Sequence, residues 1–258
     1  MPKLLISLGK KAHVNNKEIS IQDMHTYYIA DESKDFHTSD GFITAADLKK
    51  KDGSTVKSNK GREFIILTAS FMDAFQKIAR APQIIPLKDV GSIITFTGIN
   101  KDSKVVDAGA GSGGLACVLA HLCKEVTTYE IRDDFLKVAE KNKADLGLKN
   151  LKIKHKDVTQ GIDEKNVDLV TLDLPAPWLA VAHAVKALAV GGYLVSYSPT
   201  IPQVADTVNE INKAPELLFL KTIEITEREW DVDDRKIRPK TQTIGHSGFL
   251  TFARKIRA

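Results

Sequence analysis

Hydrophobic residues in the first quarter of the chain fall in short runs typical of β-strands, and turn signals separate these runs. The turn signals are the pairs Asn-Asn, Asp-Gly and Lys-Gly, which favour chain reversal. The runs are Leu4–Leu8, Glu18–Ile21, Met24–Ile29, Gly41–Ile43, Ser54–Lys57 and Glu63–Leu67. This pattern predicts a small N-terminal β-domain over residues 1–68.

The spacing changes to that of a helix after residue 69. In the segment SFMDAFQKIAR, the side chains of Phe71, Phe75 and Ile78 fall on one helical face. The segment PQIIPLKDVGSIITFTGI that follows is typical of an extended link leading into another helix. We therefore expect a helical linker over residues 69–103.

Strand-like and helix-like segments alternate from Lys104 onward. The predicted strands are Lys104–Ala108, Glu125–Glu130, Leu151–His155, Val167–Asp173 and Gly192–Ser198. The predicted helices are Gly113–Lys124, Asp133–Leu146, Trp178–Ala189 and Pro202–Lys213. Such alternation predicts an α/β domain over 104–258, in which an open, doubly wound parallel sheet has helices on both faces. Two later runs, Phe219–Trp230 and Gly248–Lys255, have no helix between them and predict an antiparallel edge pair.

Positive charge is concentrated at the end of the chain. The 258 residues carry a formal net charge of +4, and they suffice for one large domain and a smaller one. From Arg235 to Ala258, however, there are seven Lys or Arg residues and no Asp or Glu. This segment is able to bind a polyanion, or it forms a solvated basic surface; charge alone leaves both interpretations open.

The two cysteines, Cys117 and Cys123, lie in an apolar helical run without neighbours typical of metal ligands. We expect buried thiols in a reducing compartment and no metal site. The sequence shows no signal peptide, long apolar span or lipidation motif, so a cytoplasmic protein without a membrane partner is expected.

The segment VVDAGAGSGG matches two kinds of nucleotide-binding turn. Its glycines, at 109, 111, 113 and 114, allow a ligand to approach the backbone beside a helix N-terminus. They fit a dinucleotide, S-adenosylmethionine or merely a tight structural turn. Asp107 favours S-adenosylmethionine, because a carboxylate facing the crevice repels a diphosphate and attracts an ammonium group.

Further acids follow the next two strands. Glu130 ends the second strand, where an acid accepts hydrogen bonds from ribose hydroxyls. Asp157 follows the third strand and is placed either to accept the adenine amino group or to cap a turn. Together with Asp107, they favour a methyl donor over a nicotinamide cofactor.

The fourth strand leads into the segment DLPAPW. Pro175 and Pro177 stiffen the turn and place Asp173 and Trp178 over the crevice. A carboxylate and an aromatic ring are what a flipped base needs, for hydrogen bonding and for stacking. The alternative is that Trp178 anchors the core and Asp173 caps a helix.

Several segments, in order, resemble the tRNA adenine-N1 methyltransferases that modify the T-loop, with the archaeal branch most similar. The resemblance covers nearly the whole chain and is carried by FHTSDGFITAADL, RAPQII…KD, VVDAGAGSGGL, YEIR, DLPAPW, GGYLVSYSPTIPQV and RPKTQTIGHSGFLTFARK. The chain departs from the family at Ala176, where Glu is usual, and at Pro86 and Leu87, where Tyr-Pro is usual.

The resemblance implies a class I methyltransferase fold and methylation of adenine N1 at position 58, with 57 as a second position in the archaeal branch. It implies S-adenosylmethionine as cofactor, tRNA as partner and a homotetramer. Asp173 is the implied catalytic carboxylate, which polarises the base through its N6 amino group. The implied cofactor contacts, beyond Asp107, Gly109, Gly111 and Asp173, are Ser112, Gly113, Gly114, Leu115, Glu130, Phe135, Asp157 and Gln83.

Arg238 and His246 are placed on the RNA side, although His246 fits equally well as a hydrogen-bonded residue in a turn. Two other functions remain open. One is a protein-directed methyltransferase of the isoaspartyl type, and the other is a non-catalytic tRNA-binding subunit.

Overall fold

Two units divide the chain in the computed structural model, which describes residues 1–14, 17–80 and 84–258. The first unit is Met1–Ile78 and the second is Ala79–Ala258. The boundary falls inside the segment 69–103, so the residues of the predicted linker are shared between the two units.

Antiparallel strands dominate the first unit. They are β1 (Lys3–Ser7), β2 (Lys10–Val14), β3 (Lys17–Gln22), β4 (His25–Ile29), β5 (Phe36–Thr38), β6 (Gly41–Ile43), β7 (Thr55–Lys57) and β8 (Glu63–Thr68). Four of them form one sheet in the order β4-β1-β8-β7, and β2 with β3 and β5 with β6 form two hairpins. The core is built from the alternate, inward-facing residues Leu5, Ile29, Ile43, Leu48, Val56, Phe64 and Ile66.

Two short helices complete this unit, α1 (Ala45–Leu48) and α2 (Phe71–Phe75). Ser70 and Asp73 form a reciprocal capping box that starts α2. The helical spacing of SFMDAFQKIAR predicts a longer helix than the one observed, which ends at Phe75 and is followed by a turn.

The second unit contains a seven-stranded sheet. Its strands are β9 (Lys104–Ala108), β10 (Glu125–Glu130), β11 (Leu151–His155), β12 (Val167–Leu172), β13 (Leu188–Ser198), β14 (Leu217–Glu224) and β17 (Phe249–Lys255). The order is β11-β10-β9-β12-β13-β17-β14, and β17 runs antiparallel to both of its neighbours. The predicted doubly wound α/β fold with an antiparallel edge pair is confirmed.

The helices of this unit are α3 (Leu87–Thr97), α4 (Gly114–Leu122), α5 (Asp133–Asp145), α6 (Val181–Ala187) and α7 (Ile201–Lys213). Pro86 precedes α3, and Gly98 ends it in the left-handed conformation with φ +67°. The predicted helix from Trp178 begins instead as a 3₁₀ turn, Pro177–Ala180, before α6. The described part of the chain contains no helix that is long and apolar enough to cross a membrane.

A separate hairpin, β15 (Trp230–Asp233) with β16 (Lys236–Pro239), replaces the end of the predicted strand Phe219–Trp230. The charged residues Glu227, Arg228 and Glu229 separate it from β14, and Asp234 turns the chain with φ +49°. Asp tolerates this left-handed region better than most residues do.

The sheet order fixes where a ligand binds. From β9 the chain moves outward to β10 and β11, and it then returns to β12 on the other side of β9. The crevice lies at the carboxyl ends of β9 and β12, where the two halves diverge.

Two glycines of this unit differ in what surrounds them. A Cβ at Gly192 would lie 2.9 Å from the carbonyl oxygen of Val167 and 3.0 Å from that of Ala189, whereas a Cβ at Gly91, inside α3, would meet nothing within 4 Å. We expect Gly192→Ala to destabilise the protein by about 1–3 kcal/mol and Gly91→Ala to stabilise it by about 0.5–1 kcal/mol. Thermal unfolding followed by circular dichroism measures both; equal midpoints for the two variants would contradict this packing.

Candidate active site

A cavity of about 600 Å³ opens at the carboxyl ends of the parallel strands. Four loops line it, those that follow β9, β10, β11 and β12. A narrow pocket of about 30 Å³ adjoins it, between Ile84 and Ile85 on one side and the loop from Gly109 to Leu115 on the other. Asp173 lines both spaces.

A groove of similar volume, about 650 Å³, lies beside Pro86 and the segment 227–244. Its lining is charged and exposed and includes none of the acids that follow β9 to β12. The cavity at the strand ends is therefore the better candidate, because it combines a substantial apolar surface with convergent polar groups.

The loop after β9 depends on glycine. Gly113 precedes α4 with φ +78°, and Gly111 has φ +54°. Side chains are strained at such angles. A Cβ on Gly114 would lie 3.0 Å from Cγ2 of Ile84. The loop backbone thus lies directly against the residues that close the narrow pocket.

Ser112 has a hydroxyl suited to a polar ligand. The residue is 1 % exposed, and its Oγ has no hydrogen-bond partner within residues 1–14, 17–80 and 84–258. It lines the narrow pocket together with Asp107. A buried hydroxyl without a partner is costly, and a ligand in this pocket would satisfy it.

Asp107 lies in the sheet interior with both carboxylate oxygens engaged. Oδ2 accepts a 2.7 Å hydrogen bond from Thr128 Oγ1, and Oδ1 accepts one of 2.7 Å from Thr171 Oγ1. Burial raises the pKa of Asp107 to about 6. The two threonines, on the strands flanking β9, hold the carboxylate at the wall of the narrow pocket. Direct contact with an ammonium group stays a prediction.

Glu130 joins two of the loops through backbone amides. Its Oε2 accepts a hydrogen bond from Gly111 N at 2.8 Å, and its Oε1 accepts from Ile131 N and Arg132 N, both at 2.9 Å. The carboxylate lies in the cavity wall. It thereby fixes the shape of the site on the side where the sequence predicts a ribose.

Asp157 both caps a turn and lines the cavity, so the two interpretations left open by the sequence are compatible. Its Oδ1 accepts hydrogen bonds from Thr159 N at 2.8 Å and Thr159 Oγ1 at 2.7 Å. Beside it, the Arg132 guanidinium lies over the Phe135 ring, 3.9 Å from the ring centroid. The cation and the ring together form a flat, partly apolar wall suited to a planar base.

Asp173 follows β12 at the junction of the cavity and the narrow pocket. Burial raises its pKa to about 7, and the negative charge of Asp107 adds to the shift. Its backbone is fixed by a hydrogen bond from its N–H to the carbonyl of Ala108 at 2.5 Å. The carboxyl therefore changes charge near neutral pH, a property typical of catalytic acids and bases.

A buried polar cluster behind Asp173 is absent from the sequence-based predictions. Tyr197 lines a small gap together with Asp173, and its hydroxyl is hydrogen-bonded to Ser247. Ser247 Oγ donates to Asp89 Oδ2 at 3.0 Å, and Lys88 Nζ donates to the same carboxylate oxygen at 2.9 Å. Polar residues within apolar segments, such as the Lys-Asp pair of the link and the Tyr of SYS, are the only sequence signal for it.

The three predicted substrate residues lie apart from the cavity lining. Trp178 is half-buried in the 3₁₀ turn, while its neighbours Ala176 and Leu179 line the cavity. Arg238 is exposed on β16, with its Nε 3.7 Å from Asp231 Oδ2. Their contact with RNA stays a prediction, and Gln83 lies outside the described residues.

His246 corresponds to the hydrogen-bonded alternative considered above. Its Nδ1 lies 2.5 Å from Glu224 Oε1, and its Nε2 lies 2.8 Å from the carbonyl oxygen of Pro199. The carboxylate of Glu224 raises the pKa of His246. The side chain joins two segments and still lies at the surface.

Partners from elsewhere in the chain reduce the basic character of the C-terminal segment. Lys240 pairs with Glu229, and Lys255 Nζ donates to the carbonyl oxygens of Val185 and Leu188, both at 2.8 Å.

Cys117 and Cys123 are buried, and burial raises the pKa of their thiols to about 12 and about 11. Among the described residues no group of three or more His, Cys, Asp or Glu side chains is arranged to bind a metal ion.

Comparison with known proteins identifies a family. A family model described as the tRNA methyltransferase complex GCD14 subunit matches residues 75–239. The tRNA (adenine(57)-N(1)/adenine(58)-N(1))-methyltransferase TrmI of Methanocaldococcus jannaschii is 34% identical in an alignment that covers 88% of this chain and 90% of that protein. The tRNA (adenine(58)-N(1))-methyltransferase TrmI of Thermus thermophilus is 30% identical, covering 86% of this chain and 89% of that protein.

Solved structures show the same fold over the whole chain. A SAM-dependent O-methyltransferase from Thermotoga maritima superposes with a TM-score of 0.78 at 28% identity, covering 99% of this chain and 93% of that one. The tRNA (m1A58) methyltransferase TrmI from Aquifex aeolicus superposes with a TM-score of 0.74 at 24% identity, covering 99% of this chain and 97% of that one.

The raised pKa of Asp173 makes stability depend on pH. Because the folded state binds this proton more tightly than the unfolded chain does, the contribution of Asp173 to stability is most favourable below about pH 4 and falls as the pH rises to about 7. We expect Asp173→Asn to exceed the wild type in stability by about 1–3 kcal/mol at pH 8 and to lose this advantage towards pH 4.

Urea unfolding at a series of pH values measures this difference. As a control, Asp107→Asn removes the neighbouring charge. It should lower the pKa of Asp173 and so move the pH range in which Asp173 affects stability to lower pH. A stability difference between Asp173→Asn and the wild type that does not change with pH would refute the raised pKa.

Proposed function

This chain belongs to the family of the tRNA methyltransferase complex GCD14 subunit, and from this premise we propose that it methylates N1 of adenine 58 in the T-loop of tRNA. S-adenosylmethionine is the proposed methyl donor. Adenine 57 is a second candidate acceptor, because the relative with 34% identity carries both positions in its name. The observation that carries the proposal is the position of Asp173 at the junction of the wide cavity and the narrow pocket, where burial raises its pKa to about 7.

The chemistry of the cavity lining supports the proposed donor. Gly109 admits close approach, since a Cβ there would lie 3.4 Å from the Asp173 carbonyl oxygen and 3.9 Å from Glu130 Oε2. Glu130, Phe135 and Asp157 would hold the nucleoside end in the wide cavity. When bound, the donor supplies an electrophilic methyl group.

The narrow pocket would hold the amino-acid end of the donor. The free hydroxyl of Ser112 is available to a carboxylate, and the buried charge of Asp107 favours an ammonium group. Gly111 and Gly113 form the turn on this side, and Gly114 and Leu115 bring the start of α4 and its backbone amides to the ligand. Both ends of the donor thus have complementary partners in this chain.

Asp173 is the proposed catalytic carboxylate. Adenine N1 is a weak nucleophile, because the electron-poor ring withdraws density from its lone pair. A carboxylate that accepts a hydrogen bond from the N6 amino group raises the density at N1 and stabilises the positive charge that develops on the base. This stabilisation is larger in the transition state than in the ground state, so it accelerates the reaction.

Two of the family departures lie close to this region. Ala176 lines the cavity where Glu is usual in the family, and Pro86 precedes α3 where Tyr is usual. Ala176 leaves more room at the cavity edge. We propose that Trp178, which follows it, and Tyr197, behind Asp173, contribute to packing the target base.

tRNA is the proposed partner, and the cytoplasm is the proposed compartment. The target base lies in the folded elbow of tRNA and has to leave its stack to reach Asp173. Arg238 and the other exposed cations of the C-terminal segment would contact phosphates, which position the RNA without reading its sequence.

Transfer of a tritiated methyl group from S-adenosylmethionine to bulk tRNA tests the proposed function. Label in tRNA is expected, with a primer-extension stop that identifies position 57, position 58 or both. Label in protein instead would favour the isoaspartyl-type alternative. tRNA retention without any label would favour a non-catalytic subunit.

Substitution of Asp173 separates chemistry from donor binding. We expect Asp173→Ala to lower kcat on the order of 10²–10³-fold while donor affinity, measured by calorimetry, falls far less than this. In the wild type, kcat/KM should rise between pH 6 and 8, because the ionised carboxylate accepts the N6 hydrogen bond more strongly than the protonated carboxyl does.

Asp168→Asn is the matched control, since Asp168 lies at the opposite end of the same strand and accepts a hydrogen bond from Lys104 N at 2.7 Å. This variant should keep the wild-type turnover. Wild-type turnover by Asp173→Ala would instead rule out Asp173 as the catalytic carboxylate.

A homotetramer is the proposed assembly, with the hairpin β15–β16 in an interface. The Val232–Ile237 pair and the neighbouring Trp230 give this hairpin an apolar face, and the three side chains are 70%, 60% and 52% exposed. A two-stranded hairpin is only marginally stable in water by itself, so covering this face with a second copy would stabilise it.

Light scattering on the purified protein measures the assembly. We expect Val232→Asp to shift the tetramer towards smaller species, because it places a charge in the apolar interface. Val190→Asp, at another exposed valine, on β13, should leave the mass unchanged. A monomeric wild type would contradict the proposed assembly.

A further inference from the structure

Asn142 is a fully buried polar side chain on α5 whose amide bonds three backbone groups. Its Oδ1 accepts a hydrogen bond from Ala79 N at 2.9 Å, and its Nδ2 donates to the Ala79 carbonyl oxygen at 2.8 Å. Nδ2 also donates to the Ser112 carbonyl oxygen at 2.8 Å. The residue has no exposed surface, and its amide oxygen and both amide hydrogens have partners.

One of these bonds reaches the wall of the narrow pocket, and the other two reach the start of the segment that leads to its opposite wall. Ser112 belongs to the glycine loop, and its own hydroxyl lines the pocket. Ala79 precedes Ile84 and Ile85 of the opposite wall along the chain. The Asn142 side chain therefore holds the glycine loop directly from behind and ties it to Ala79.

The same face of α5 supports the glycine loop at a second point. Ala139 lies one helical turn before Asn142, and its Cβ would be 3.4 Å from a Cβ at Gly113. Ala139 is fully buried. The helix thus lies close behind Gly113, where a side chain would meet Ala139, and it is hydrogen-bonded to the adjacent residue Ser112.

We propose that Asn142 is a positioning residue for donor binding: its amide, anchored on Ala79, holds the Ser112 loop in the orientation that the amino-acid end of the donor requires. The inference rests on the proposed function, because it takes the narrow pocket as the donor site. Asn142 touches no reacting atom. It acts through the orientation of the Ser112 peptide and hydroxyl.

Asn142→Leu tests the inference, since leucine has a similar size and cannot form these bonds. We expect the Kd for S-adenosylmethionine to rise about tenfold or more, because Ala79 N–H and two carbonyls lose their partner and the pocket widens. The KM for the donor should rise accordingly. kcat at saturating donor and the affinity for tRNA should stay within about twofold of the wild type.

Asn150→Leu is the matched control. The Asn150 amide donates to the Ala120 and Cys123 carbonyl oxygens at 2.7 Å and 2.9 Å, at the far end of α4 from the glycine loop. We expect both variants to lower the Tm, but only Asn142→Leu to weaken donor binding. Unchanged donor affinity in Asn142→Leu would overturn the inference and leave the proposed function intact. Failure of the wild type itself to bind the donor would overturn both.

Hydrogen exchange on the wild-type protein gives a measurement that does not depend on a variant folding. The Ala79 amide is held by Asn142, so donor binding in the pocket should slow its exchange together with that of the glycine-loop amides. The Gly98 amide, which donates to the Ile94 carbonyl at the end of α3, should exchange at an unchanged rate. Slower exchange in the glycine loop without any change at Ala79 would refute the coupling.

Discussion

Two carboxyl groups in one water-poor space set the constraint on which this site depends. Asp107 on β9 and Asp173 after β12 repel each other, and burial makes the charged form of each unfavourable. The parallel register offsets part of this cost, because it places Thr128, Asp107 and Thr171 side by side across three strands. The two threonine hydroxyls donate to Asp107 and hold it in place. A site of this kind is stable only where the surrounding sheet is rigid.

The rigid sheet also explains how the loops are arranged. Two of the strand-end acids fix a neighbouring loop as well as facing the cavity: Glu130 accepts the amide of Gly111, and Asp157 caps the turn that follows β11. Asn142 fixes the glycine loop from the opposite side. The polar groups around the cavity therefore have protein partners that orient them, and such preorganisation lets them act on a ligand without further rearrangement.

The periodicity of the sequence is sufficient to predict the alternating sheet and the acids at its strand ends, because period and strand position decide which residues reach the crevice. The register between strands is not contained in that pattern. The engagement of Asp107 by Thr128 and Thr171 therefore could not be predicted, and neither could the cluster of Tyr197, Ser247 and Asp89, which joins residues about 160 positions apart. The hairpin turn near Asp234 brings Lys240 to Glu229. This turn lies in a run of charged residues and could not be predicted from it.

In the proposed mechanism, charge connects donor binding with catalysis. A protonated Asp173 would donate a hydrogen bond, and towards adenine N1 this bond would occupy the lone pair that has to react. A cationic ligand close to Asp107 and Asp173 favours their ionised forms and so lowers both pKa values. Because binding and ionisation are linked, each strengthens the other. Burying two carboxyl groups lowers the stability of the protein without ligand. In the proposed mechanism, the same burial favours binding of a positively charged donor and provides an anion that polarises the base.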